Sequence, residues 1–213
     1  MEKRTRVPEP TIARLATYFR CLAELSDQEV GVVSSEEIAF RAGVKASQVR
    51  KDLSYFGEFG VQGLGYPVPG LLNRVASILQ LDQQHRVALV GAGNLGTALA
   101  GFPGFARWNF HILWIFDSSP AKVGQEINRV KVESMSTLPR KLPADLGILA
   151  VPGHAAEDVA KLMVASGVHA LLNFTGAHLH LGPDVSVRNV DLTHELAILA
   201  YHAQRPDPAP LSE

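Results

Sequence analysis

The sequence predicts an α/β chain in two parts, a small helical domain followed by a doubly wound parallel sheet. Three observations predict it. Over the first 82 residues most apolar side chains fall at helical spacing. From Arg86 onward short apolar runs alternate with helical stretches, and between the runs RVALV and HILWIF stands the glycine-spaced turn Gly91-Ala92-Gly93-Asn94-Leu95-Gly96. Strands alternating with helices argue for parallel pairing with crossover connections, and a length of 213 residues allows two domains.

The elements follow in order. After Pro8 and Pro10, the residues Ile12, Leu15, Phe19, Leu22 and Leu25 mark a first amphipathic helix with Arg14 and Arg20 on its other face. Ser34 and Glu37 have the spacing of a capping box, so a second helix starts there and stops near Gly43. A third runs from about Ala46 to Tyr55. Two short helices joined by a glycine-containing turn outline a helix-turn-helix. The segment GEFGVQGLGYPVP interleaves glycines with Phe59, Val61, Leu64 and Tyr66, which predicts a small hairpin, a wing with Gln62 at its polar tip. A helix with Leu71, Leu72, Val75, Ile78 and Leu79 follows, and LDQQH is the expected linker.

Beyond it come RVALV, a helix after Gly93, HILWIF, LGILAVP, the helix HAAEDVAKLMVASG, ALLNFT, a last strand VSVRNVDL and the helix THELAILAYHAQ. The proline-rich RPDPAPLSE is expected to be disordered. The expected regions are therefore 1–82, a DNA-binding-type domain; 83–192, the parallel sheet; and 193–213, a C-terminal helix and tail.

Composition narrows the function classes. With 46% hydrophobic and 19% charged residues the chain has material for a real core. A net charge of -1 gives no global reason to bind nucleic acid or membrane, so such a partner must meet a local cluster. Cys21 is the only cysteine, which excludes an intramolecular disulfide and a multi-cysteine metal site and fits a reducing compartment. MEKRTRVPEP lacks an apolar signal core, and no apolar stretch approaches the roughly 18 residues of a membrane span, so a cytoplasmic protein with no membrane partner is expected.

The glycine turn carries the chemistry. Placed after a strand and before a helix, Gly91 permits the tight turn, Gly93 lets backbone approach a pyrophosphate, and Gly96 lets helix and strand pack closely. The diphosphate would lie among the unpaired N–H groups of the helix N-terminus. Asp117 follows about 20 residues later, where a carboxylate accepts hydrogen bonds from ribose hydroxyls. No arginine follows it at once, which favours NAD over NADP. A sheet of this type that binds no nucleotide is the bland alternative.

On the third helix Val49 and Leu53, with Ala46 and Phe56, face the core, while Ser47, Arg50, Lys51, Ser54 and Tyr55 face outward. Arginine and lysine neutralise phosphates or reach guanine, and hydroxyls fix register on phosphate. A solvated helix face is the alternative; the neighbouring helix and wing favour DNA. The expected DNA contacts are Ser47, Gln48, Arg50, Lys51, Ser54 and Tyr55 on the helix and Gln62, Gly63, Gly65 and Tyr66 on the wing. His154 follows Val151-Pro152-Gly153 at a strand end and could serve an enzyme as acid or base, although a helix-start role is preferred. His178 and His180 lack further ligands, His194 and Glu195 open the last helix, and no metal or catalytic residue is assigned.

A helix-turn-helix, a wing and an NAD fold in that order resemble the Rex family of redox-sensing transcriptional repressors. VRKDLSYFG (49–57), GLGY (63–66), VGAGNLGTAL (90–99), FDSSPAKVG (116–124), AVP (150–152), LLNFT (171–175) and NVDL (189–192) carry the resemblance, which spans Val7 to Gln204. It implies a Rossmann-type doubly wound sheet behind a winged helix-turn-helix, and a homodimer that holds a palindromic operator under NAD+ and leaves it as NADH accumulates. It further implies a C-terminal helix exchanged between subunits. Gly91, Ala92, Gly93, Asn94, Leu95, Gly96, Asp117, Ser118 and Lys122 would hold the adenosine and diphosphate of NADH or NAD+. Val151, Pro152, Phe174 and Thr175 would flank the nicotinamide. Arg20 and Asp191 would take part in the switch. Two departures stand out: Gln62 occupies a wing position that is often basic, and Phe102 replaces a tyrosine found in some members, whose hydrogen bond it cannot donate. A small NAD-dependent oxidoreductase with an accessory N-terminal domain is the rival reading, and a CoA-binding module is a third.

Overall fold

In the computed structural model, residues 7–57, 59–60, 64–138 and 142–203 are described. Gln62, Gly63, the N-terminal KRTR and the tail from residue 204 lie outside them. The chain divides into two compact units, Met1–Gln83 and Gln84–Glu213, the second including the C-terminal helix.

The first unit is helical. Helix α1 (Glu9–Asp27) has Pro10 in its first turn, where a missing N–H costs nothing, and buries Leu15, Tyr18, Leu22 and Leu25 along one stripe. Strand β1 (Val32–Val33) leads to helix α2 (Ser35–Ala42). The Ser34 hydroxyl oxygen accepts the Glu37 N–H at 3.1 Å, and Gly43 ends the helix at φ +66°. The capping box is only half formed, because the Glu37 carboxylate turns to Arg41 at 2.6 Å. Helix α3 (Ala46–Ser54) buries Val49, Asp52 and Leu53, and helix α4 (Val68–Ile78) closes the core with Val68, Leu71 and Val75.

The wing differs from expectation. Strand β2 (Tyr66–Pro67) pairs antiparallel with β1, Val33 opposite Tyr66, so its partner lies ahead of α2 rather than within the glycine-rich segment. Residues 61–63 lie outside the described residues. Gly65, at φ +93°, permits the pairing: a Cβ there would lie 2.6 Å from the Val33 carbonyl oxygen.

The second unit is a seven-stranded sheet. Its strands are β3 (His85–Val90), β4 (Phe110–Asp117), β5 (Glu126–Ile127), β6 (Val130–Ser134), β7 (Leu146–Leu149), β8 (Ala170–Asn173) and β9 (Ser186–Asn189). Their spatial order is β5-β6-β4-β3-β7-β8-β9, all parallel except the β5–β6 hairpin. Without the short β5 this is the 3-2-1-4-5-6 order of a dinucleotide-binding sheet, which reverses direction between β3 and β7. Helices α5 (Asn94–Ala100) and α6 (Pro103–Arg107) belong to one face, where Leu99, Ala100 and Phe105 pack with Val87, Leu89, Ile115 and Ile148. The other core, of Ala88, Val90, Phe116 and Leu149, packs on Ala160 and Met163 of helix α7 (Gly153–Ala165).

Two features were not expected. Pro103 splits the helical stretch after the glycine turn into α5 and α6. The β5–β6 hairpin turns through Asn128 (φ +47°) and Arg129 (φ +66°), a pair in the left-handed region. No helix links β8 to β9, and an apolar groove of about 610 Å³ lies open on the sheet between Phe102, Phe105 and Trp108 on one side and Leu172, Ser186 and Arg188 on the other. The final helix α8 (Leu192–Ala203) buries none of its residues and leaves Leu196, Leu199 and Tyr201 exposed. Among the described residues no helix is long and apolar enough to cross a membrane.

Candidate functional site

The three glycines of the turn are glycines for three different reasons. Gly91, at φ +105°, follows β3 where a Cβ would come within 2.4 Å of the carbonyl oxygen of Ala150, the residue after β7. Gly96 lies where a Cβ would overlap the Gly91 carbonyl oxygen, so α5 packs directly on the turn. Gly93 has an ordinary φ of −79° and open space: the nearest atom to an added Cβ is the Lys122 ammonium, 4.0 Å away. Nothing among the described residues requires glycine there, which fits a backbone kept bare for a bound group. The turn lies at the carboxyl end of β3, beside the end of β7, where the strand order reverses and α/β sheets bind ligands.

Asp117 ends β4 and is 8% exposed. One carboxylate oxygen accepts the Ala92 N–H at 2.7 Å and the Lys122 ammonium at 3.2 Å; the other accepts the Ser119 N–H at 2.8 Å. Burial alone would push this carboxyl up, but the two N–H donors and Lys122 hold it below the usual carboxylate range. Asp117 therefore stays ionised, ties the glycine turn to β4, and keeps acceptor capacity for a ribose hydroxyl. Ser118, Asn94 and Leu95 are exposed beside it. A dinucleotide fits these residues: a bare Gly93, the first N–H groups of α5 without helical partners, an ionised carboxylate and one ammonium.

Val151 and Pro152 follow β7, and Phe174 and Thr175 follow β8, the adjacent strand. Their loops touch, since a Cβ on Gly153 would stand 3.5 Å from the Thr175 carbonyl oxygen. Asn173 was missed by the sequence analysis and organises this corner. Only 1% exposed, it donates to the Ala177 carbonyl and the Asn189 amide oxygen at 2.9 and 2.8 Å, and accepts from the Thr175 N–H and hydroxyl at 3.0 and 2.6 Å. Its only sequence signal is an amide at the end of an apolar strand. His154 stands exposed in the first turn of α7, and His178 and His180 occupy the loop after β8. Among the described residues no group of His, Cys, Asp or Glu could hold a metal ion.

Asp191 caps α8 with a single oxygen, which accepts the Thr193 N–H at 2.9 Å, the Thr193 hydroxyl at 2.6 Å and the His194 N–H at 3.1 Å. Phe102 is exposed at the start of α6, its ring edge-on to Phe105 at 5.2 Å. Arg20 is exposed on α1, in the other unit.

The first unit presents its own surface. On α3 the side chains of Ser47, Arg50, Lys51, Ser54 and Tyr55 are exposed while Val49 and Leu53 are buried, as their spacing requires. Arg50 is held by α2, donating to the Ser35 hydroxyl at 2.7 Å and the Glu36 carboxylate at 3.1 Å. Ser54 spends its hydroxyl proton on the Lys51 carbonyl at 2.8 Å. Tyr66 packs partly buried against the helical core rather than standing out on a wing, and burial pushes its phenol up. Arg14 also departs from expectation. Instead of facing solvent, it pairs with Asp52, a residue of α3 that is wholly buried and that periodicity alone assigned no role.

Comparison with known proteins follows this division. Residues 6–54 match the family described as "Putative DNA-binding protein N-terminus", and residues 82–177 match "CoA binding domain". Over 203 residues the chain is 43% identical to the redox-sensing transcriptional repressor Rex of Desulforamulus reducens, covering 94% of this chain and 97% of that one. It is 42% identical over 202 residues to Rex of Streptomyces coelicolor, with 93% and 78% covered. Among solved structures, RSP in complex with β-NAD+ and operator DNA superposes with a TM-score of 0.87 at 38% identity, 93% of each chain covered. RSP in complex with β-NADH gives 0.85 at 36% identity, with 93% and 95% covered.

Proposed function

The chain belongs to the Rex family of redox-sensing transcriptional repressors, and from that premise we propose that it holds a palindromic operator as a cytoplasmic homodimer while NAD+ prevails and leaves it when NADH replaces NAD+. The observation that carries the proposal is Gly93, a glycine with no internal reason to be one, at the switch point of a sheet that follows a helix-turn-helix with an exposed cationic face.

The nucleotide acts as a ligand rather than a hydride source. When bound, it offers two redox forms that differ in the charge of the nicotinamide ring. The chain's own groups hold it: Gly91 to Gly96 take the diphosphate on backbone, Asp117 takes the adenosine ribose, and Lys122 supplies the counter-charge. Val151, Pro152, Phe174 and Thr175 flank the ring. Ser47, Gln48, Arg50, Lys51, Ser54 and Tyr55 face DNA, with Gln62, Gly63 and Gly65 contributing from the wing. Differential contacts to the two redox forms bias two dimer arrangements, and operator affinity and NADH preference are then reciprocally linked.

The apolar side chains of α8 and the 610 Å³ groove support a dimer in which each copy covers the other's apolar surface, with α8 exchanged between subunits. Arg20 and Asp191 join the switch. Asp191 caps α8 through one oxygen and so can offer the other to a cation. At Phe102 no phenol is present to take part.

Because one matching family is described as CoA-binding, NADH, NADPH and CoA are titrated separately. NADH is expected to bind tightest, since Asp117 repels a 2′-phosphate. Asp117→Ala is expected to weaken NADH by roughly 10- to 100-fold, the loss of hydrogen bonds to a charged acceptor, and to leave DNA binding without nucleotide intact. An NADH titration unchanged by the substitution would remove the ribose assignment, and preference for CoA would favour the third reading.

A further inference from the structure

Asp52 lies in the middle of α3, between exposed Lys51 and exposed Ser54, yet its side chain is wholly buried. It collects five donors. Thr11 gives its hydroxyl at 3.1 Å, Arg14 its Nε and Nη2 at 2.6 and 2.8 Å, Tyr18 its phenol at 2.9 Å and Gln48 its amide nitrogen at 2.9 Å. Thr11, Arg14 and Tyr18 are spaced three and four apart, so they form one polar stripe on α1. Apolar packing between helices is non-directional and tolerates rotation of one helix on the other. A carboxylate fixed by directional donors from a single stripe does not.

Gln48 matters most in this arrangement. A carboxylate only accepts, so the amide end that meets Asp52 must be the NH₂ group, and the carbonyl oxygen is the end left over. Glutamine ordinarily reads adenine by donating to N7 and accepting from N6 together. With one amide N–H committed to Asp52, Gln48 keeps its oxygen and its second N–H, the pair that matches the N6 amino group and N7 of adenine.

We propose that Asp52 is the positioning residue for sequence reading: it fixes the rotation of α3 on α1 and holds Gln48 by one N–H, with its oxygen and second N–H as the reading end. This rests on the DNA-binding function proposed above and names how one position of the site is read.

The test uses the full chain with NAD+ and duplexes selected by the wild-type protein from a random-sequence library, with shuffled duplexes as the non-specific reference. The wild type is expected to show one position per half-site favouring A over the other bases by about tenfold, toward the low end of a bidentate contact. Gln48→Ala flattens that position and leaves the others. Asp52→Asn, whose amide both donates and accepts, releases Gln48, flattens the same position and lowers the selected-to-shuffled affinity ratio by at least about tenfold. Tyr18→Phe removes one donor without touching Gln48 and keeps the wild-type base preferences, which separates positioning from loss of stability.

Circular dichroism establishes which variants are folded. A folded Asp52→Asn protein with the wild-type profile would overturn the proposal. Where Asp52→Asn does not fold, an unchanged profile for Gln48→Ala overturns it instead. Wild-type protein that enriches no sequence would overturn the DNA-binding function, and the positioning role with it; discrimination that survives in the variants overturns the positioning role alone.

Discussion

Asp52 and Asp117 are both carboxylates buried near the functional face of their own unit, and they differ in what completes them. Asp52 is wholly buried and saturated by five donors of the chain itself. Asp117 is 8% exposed, with three donors, beside a glycine that faces open space. Burial pushes both up, and their hydrogen bonds pull both below the ordinary range. The difference teaches that a depressed carboxyl does not mark a ligand site. Spare acceptor capacity next to vacant space does. Asp52 is a joint, Asp117 a contact.

The sharpest way to break this contrast is to truncate the joint. Asp52→Ala leaves Arg14, Tyr18, Thr11 and Gln48 without their shared acceptor, and stripping one partner from a buried pair costs about 3–5 kcal/mol. Unfolding by denaturant should show that loss in the helical unit, while NADH titration stays near wild type. Acid probes the same joint. A carboxyl whose folded pKa is depressed contributes stability that is present above its unfolded value, about 3.9, and is lost as pH falls through the folded value. Wild-type stability is therefore expected to be level from pH 7 to about 5 and to fall below about 4. Asp52→Asn flattens that fall.

The glycine turn offers a second contrast, smaller in stability and larger in ligand binding. Gly96→Ala forces a methyl into the Gly91 carbonyl and should cost about 1–3 kcal/mol as an overpacked site. Gly93→Ala meets only open space, so its melting temperature should stay within about 2 °C of wild type, the shift of a neutral surface change, while NADH affinity falls. Equal thermal losses for the two variants would erase the distinction between a packing glycine and a binding one.

The smallest effect is at the DNA surface. Lys51→Ala should weaken operator binding by about tenfold or less and reduce the salt slope by about one, with nucleotide affinity intact. Normal affinity and slope would take Lys51 out of the interface.

How much of this was legible in the sequence follows from how local each signal is. Gly91, Gly93, Gly96 and Asp117 could be placed because a strand, a turn and a helix follow one another within about 30 residues. The β5–β6 hairpin could not, because Asn128-Arg129 lacks the glycine of a typical two-residue turn and only Val132 of VKVES is buried. The strand of the wing pairs with Val32–Val33, more than 30 residues upstream, and local patterning carries no signal for that partner. Asp52 sits between Val49 and Leu53 on the core side of α3, but an acid in a basic helix is ordinarily solvated, and only the Thr11-Arg14-Tyr18 stripe on another helix explains its burial. The apolar content of α8 was visible; its exposure became visible only in the structure, where a single chain does not cover it.

The C-terminal unit receives a redox signal which the N-terminal unit reports to DNA. Titrating the selected duplex into the full chain at fixed salt, across NADH to NAD+ ratios, tests it directly. Operator affinity should be high with NAD+ and fall by about 5- to 150-fold as NADH saturates, the range of an ordinary coupling free energy. Equal affinity at saturating NADH and saturating NAD+ would show that the nucleotide does not control DNA binding.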